Sequence, residues 1–164
     1  MTVSNAEFLK GNYNAARLLG NKSINSDGTM EIEGFESLLL LTKQFPWPTI
    51  GSSGEIVFPG PLGTESAAPQ QIKIYQQGPI TFQETSSGAI HRFMQDVVAR
   101  GGRFQAVVYE GVPEAFYRAY KLVDAFFVPD QPDRDFENKA QGTLINGTLH
   151  FHFFNETLPG NIAA

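Results

Sequence analysis

Between Ile72 and Phe82 apolar and polar side chains alternate, with Ile72 and Ile74 before Gly78-Pro79 and Ile80 and Phe82 after it. A period of two puts one set of side chains on each face of a pleated strand. The segment therefore reads as two strands, or as one strand broken by a bulge. Met30 and Ile32 alternate in the same way with Glu31 and Glu33, after which Gly34 could shift the phase and Leu38 to Leu41 continue as a buried run.

Three more segments carry the aromatic and β-branched residues that suit sheets: Phe104 to Glu110, Phe116 to Val128 and Thr143 to Phe154. Fourteen Phe, five Tyr and one Trp supply the filling. Only one stretch has a helical period. Ala89, Ile90, Phe93, Met94, Val97 and Val98 share a face, Ser86 or Ser87 could cap its start and Gly101 could stop it, which predicts a helix over 87–100. The fold class is α+β and mainly β, with about five or six strands around one helix.

The chain has 164 residues, 41% of them hydrophobic, enough for one core and no more than one domain. Residues 1–28, interrupted at Gly11-Asn12, Asn14, Gly20-Asn21 and Asp27-Gly28, read as an N-terminal arm with one helical turn, anchored by Phe8, Leu9, Leu18 and Leu19. Residues 29–164 form the domain. Within it, Phe45-Pro46-Trp47-Pro48 cannot be a central strand, because two prolines remove two ladder donors. The segment 45–69 reads as a long loop with one short strand at Glu55 to Phe58, and a loop of that length suggests a partner surface.

Several chemistries are disfavoured. Without Cys there are no disulfides and no thiolates. The net charge of −5 argues against binding that depends on neutralising phosphates. No apolar run has the length of a membrane span, and Met1 to Lys10 lack a signal-peptide layout, so the expectation is a protein made in a cytoplasm with no membrane partner. No nucleophile with its base and no phosphate-binding glycine loop is recognisable, and a carboxylate pair such as Glu110 with Asp124 has no motif behind it. The expectation is no enzyme and no cofactor.

His150 and His152 would share one strand face and could offer two imidazoles to a metal, but with no third ligand in sequence they read as an ordinary face and no metal is expected. Asp130, Asp133 and Asp135 lack the ligand order of a calcium loop and read as a solvated turn. Asp27, Glu31, Glu33 and Glu36 form an acidic stretch without a base, either plain surface or a functional acidic wall. Trp47 is either a core plug under a rigid turn or an exposed anchor.

The stretch Phe35-Glu36-Ser37-Leu38-Leu39-Leu40-Leu41-Thr42-Lys43-Gln44-Phe45-Pro46-Trp47-Pro48, the segment Val108-Tyr109-Glu110-Gly111 and the ending Gly147-Thr148-Leu149-His150-Phe151-His152-Phe153-Phe154 resemble the tail tube proteins of contractile-tailed bacteriophages, from about Met30 to Phe154. The resemblance implies two packed antiparallel sheets, sandwich- or barrel-like, flanked by one α-helix. It also implies hexameric rings that stack into a channel inside a contractile sheath, with sheath and baseplate or initiator proteins as partners. DNA would pass without specific binding, and the location would be the virion tail.

Under that resemblance Glu31, Glu33 and Glu36 are candidates for an acidic lumen wall that repels phosphates. Phe45, Pro46, Trp47, Pro48, Phe58 and Leu62 are candidates for contacts between subunits or rings. The same fold would serve a baseplate tube-initiator or a secretion-system tube subunit. From another class, a carbohydrate-binding β-sandwich would use Trp47 or Tyr75 as a stacking platform.

Overall fold

A computed structural model of the chain describes residues 5–163. In chain order the elements are α1 (Ala6–Leu18), β1 (Thr29–Ile32), a 3₁₀ turn (Glu36–Leu40), β2 (Thr42–Gln44), β3 (Glu55–Pro59), β4 (Glu65–Pro69), β5 (Tyr75–Gln83), α2 (Ala89–Ala99), β6 (Phe104–Val112), β7 (Ala115–Pro129), β8 (Leu144–His152) and β9 (Thr157–Pro159). The class is the expected one, mainly β with every strand pair antiparallel.

Seven strands form one sheet in the order β1-β6-β7-β8-β5-β2, with β9 paired to β7. The long strand β7 belongs to two halves of it. Its first part pairs with β6 and, over Arg118–Tyr120, with β9, while Val123–Pro129 pair with β8. Where the two pairings overlap, between Val123 and Phe126, the register shifts, and Asp124 takes a left-handed conformation with φ 48, a position Asp tolerates better than most residues. Gln105 holds this bulge from the neighbouring strand: Asp124 N–H donates to its Oε1 at 3.2 Å, and its Nε2 donates to Asp124 Oδ1 at 3.1 Å. A bulge bends and twists its strand, and here it separates the half β1-β6-β7-β9 from the half β7-β8-β5-β2.

Both halves feed one core, in which Met30, Ile32, Val108 and Leu122 join Ile80, Phe82, Leu149 and Phe151. Helix α2 closes it with Ile90, Phe93 and Val97. The Phe93 ring meets Phe35, Phe82 and Phe104 edge-on, with centroids 5.0, 6.1 and 5.5 Å away, a geometry that adds to simple area burial. The helix begins two residues later than expected and neither Ser86 nor Ser87 caps it. Gly88 at φ 75 leads in, the Thr85 hydroxyl accepts from Ala89 N–H, and the Glu84 carboxylate accepts from Ile90 and His91 N–H, both at 3.0 Å.

Four expectations need correction. The arm contains a 13-residue helix, α1, capped by Asn5 Oδ1 accepting from Phe8 N–H at 2.8 Å, and it is not anchored: none of its residues is buried. Leu38 to Leu41 form no buried strand but a 3₁₀ turn in which Leu38 points inward and Leu40 stays 82% exposed. In the segment 45–69 the expected short strand is present as β3, but it does not stand alone in a loop, because β4 pairs with it from Glu55↔Pro69 to Pro59↔Glu65 as a separate hairpin. Finally, β5 starts only at Tyr75, leaving Ile72 on an isolated bridge to Ser52. Among the described residues no helix is long and apolar enough to cross a membrane.

Candidate assembly surfaces

The ends of the seven-stranded sheet are short strands, four residues in β1 and three in β2. A sheet edge presents unpaired N–H and C=O groups, and shortness is one way of limiting unwanted pairing there. The β3–β4 hairpin is more exposed still. Ile56, Val57 and Phe58 are each about half exposed, and at its tip Leu62, with φ 57, is fully exposed. Ile56 and Phe58, alternate residues of β3, share one face of the hairpin, and both are exposed there.

The motif Phe45-Pro46-Trp47-Pro48 is divided between interior and surface. Pro46 and Pro48 are buried. Pro46 covers Gly78, where a Cβ would stand 2.5 Å from the proline Cβ, so Gly78 is required by this close approach. Just beyond, Gln76, the one buried polar residue of the described core, clamps Thr49: its Oε1 accepts from Thr49 N–H and its Nε2 donates to Thr49 O, both at 2.9 Å. Trp47 stands edge-on to Tyr120 at 5.3 Å and keeps 39% exposure. With Phe45, Ile24 and the Glu110–Arg118 ion pair of 2.8 Å it lines an open cleft of about 540 Å³.

The three acids differ in setting. Glu31 is half-buried on the face of β1 opposite Met30 and Ile32. Burial and the Glu31 charge together push the Tyr109 hydroxyl above its ordinary range. Glu33 is exposed and shares a shallow cleft with Arg100 and Arg103. Glu36 accepts from Gly34 N–H at 3.2 Å, closing the turn after β1. Cations therefore line the cleft of Glu33, which the local sequence could not reveal, since both arginines come from the end of α2 and the turn after it.

Glu110 and Asp124 do not come together. Glu110 binds Arg118 near one end of β6, while Asp124 lies across from the other end beside Gln105, with Arg103 at 3.8 Å. His150 and His152 do share one face of β8, beside Tyr75 of β5 and Phe126 of β7.

No family model matches the sequence, and no curated protein matches it. Solved structures do match in fold. One is an extracellular contractile injection system, the PVC sheath-tube complex in the extended state, with a TM-score of 0.57, 9% identity, and coverage of 88% of this chain and 95% of that one. A second is the PVC sheath/tube terminator in the extended state, at 0.55 and 8%, covering 85% and 97%. A third is the anti-feeding prophage cap, the AFP tube terminating cap, at 0.54 and 9%, covering 85% and 91%. The chain has a fold of the contractile-tail tube type. At such identities the likeness concerns the fold.

Proposed function

We propose that this chain is a structural subunit of the tube of a contractile tail, forming hexameric rings that stack inside a sheath. The carrying observation is that its fold matches components of contractile injection systems over most of both chains. Exposed sheet ends and an apolar hairpin supply the surfaces such stacking needs, and closing edges between copies is what ring formation achieves.

In its finer form the proposal is the tail tube of a bacteriophage, through which DNA leaves. The names of the matched assemblies favour a second reading, the tube or a tube end of an injection system; a baseplate initiator of the same fold would build one ring only. In each case Trp47, Phe58 and Leu62 offer apolar contact surface between copies, and Phe45, Pro46 and Pro48 hold the chain that presents Trp47.

Negative-stain electron microscopy of the purified protein over a range of concentrations, with light scattering on the same samples, tests the proposal. Rings or tubes with an open lumen are expected. A monomer at every concentration, also after addition of an initiator ring, would overturn it. Helical reconstruction of the tubes then tests the proposed acidic wall, which is abandoned if Glu31, Glu33 and Glu36 lie on the outer surface.

A further inference from the structure

On the outer face of the β7-β8-β5 half, four rings from three strands cluster together. Phe126 lies flat against His150, with centroids 4.7 Å apart and planes 1° from parallel. Tyr75 also stacks on His150, 5.8 Å away at 24°, and is tilted against His152, 5.7 Å away at 55°. The pairing register explains this: His150 is opposite Phe126, and His152 is opposite Tyr75.

Each imidazole uses the same nitrogen within the protein. His150 Nδ1 is hydrogen-bonded to the Tyr75 hydroxyl, and His152 Nδ1 lies 3.3 Å from the carbonyl oxygen of Val123. Neither Nε2 has a hydrogen-bond partner among the described residues. Alternate residues of a strand project from one face, so the two half-buried rings share a face, each with its Nε2 unengaged by a described residue. The Val123 carbonyl can only accept, which keeps the proton on His152 Nδ1 and the lone pair on Nε2; the Tyr75 hydroxyl is able to accept from His150 in the same way, and this arrangement typifies histidines that ligate metals. Stacking between Phe126 and Tyr75 further restricts the His150 ring, which lowers the ordering cost of binding.

We infer that His150 and His152 form a chelating site for a divalent transition metal of the imidazole-preferring class, Zn²⁺ or Ni²⁺. Their Nε2 atoms are the ligands, and water completes the shell. Tyr75 is a positioning residue that acts through His150. Among the described residues no third His, Asp or Glu converges here, so the site is open on its outer side.

Isothermal titration of the full chain with ZnCl₂ or NiCl₂ tests this, alongside long-range ¹⁵N–¹H NMR of the imidazoles. The chain has three His, and His91, on α2, is the internal reference. One metal per chain is expected, with the His150 and His152 Nε2 signals shifting and His91 unchanged. His150→Gln or His152→Gln should each weaken binding at least about 10-fold, and Tyr75→Phe about 10-fold, as loss of an orienting partner does. No saturable binding below millimolar metal, or binding retained in the His150→Gln/His152→Gln double variant, would overturn the inference. Circular dichroism of each variant separates loss of the site from loss of the fold.

Discussion

Glu84 shows how much one side chain can settle. Burial raises the affinity of its carboxylate for a proton, but hydrogen bonds from the Ile90, Thr85 and His91 N–H groups and the charge of His91 outweigh that, so the group titrates below its ordinary range. Its position, before a helix start that has no capping side chain on Gly88, makes it the acceptor for otherwise orphaned donors. Glu84→Ala is expected to lower stability by about 1 kcal/mol, within the span known for lost N-terminal caps, measured by urea denaturation at neutral pH. A depressed folded pKa contributes stability above the unfolded carboxylate range, and that contribution is lost as pH falls through the folded value. Wild type should therefore lose more stability than Glu84→Gln between pH 6 and about pH 3; equal losses would show that the charge contributes nothing.

At the scale of elements, the β3–β4 hairpin makes a sharp prediction because it packs on itself and leaves its apolar residues outside. Replacing Ile56 and Phe58 by Lys should change the unfolding free energy by no more than about 0.5 kcal/mol, as exposed substitutions do, yet abolish tube growth. A large drop in thermal stability would instead show that the hairpin supports the domain, and unimpaired growth would remove it from the contacts. Legibility in the sequence also divides by element. Helix α2, β6, β7 and β8 were readable because burial on one side imposes a period. Helix α1 was not, since a helix that buries nothing has no such constraint, and Gly11, Asn12 and Asn14 look like breaks; its signals were Asn5 as cap, Glu7 in the first turn and Arg17 in the last. The return strand β4, Glu-Ser-Ala-Ala-Pro, lacks an apolar face and hid half of the hairpin. For the candidate metal site the i, i+2 spacing was legible on β8, but Tyr75 and Phe126 come from other strands, and only pairing register brings them to it.

For the whole molecule, a shared β7 and a common core imply that the two sheet halves cannot unfold separately. The single Trp reports on the β7–β9 side through Tyr120, and far-UV circular dichroism reports on all strands. Their denaturation curves should coincide, as cooperative unfolding around one shared core requires. Separate midpoints would mean that the bulge at Asp124 is a boundary between independently stable parts.

Because β8 lies between β5 and β7 while β9 adds to the other stretch of β7, the strand that joins the two halves is made after both of its neighbours. A growing chain released as far as Pro129 has β5 and β7 in hand but nothing between them, so apolar faces and two strand edges stay open until the C-terminal segment emerges. Synthesis from N- to C-terminus thus postpones closure of the core until β8 has emerged, and a ribosome stalled in the 130–143 linker would hold a form of this protein prone to pairing with its neighbours.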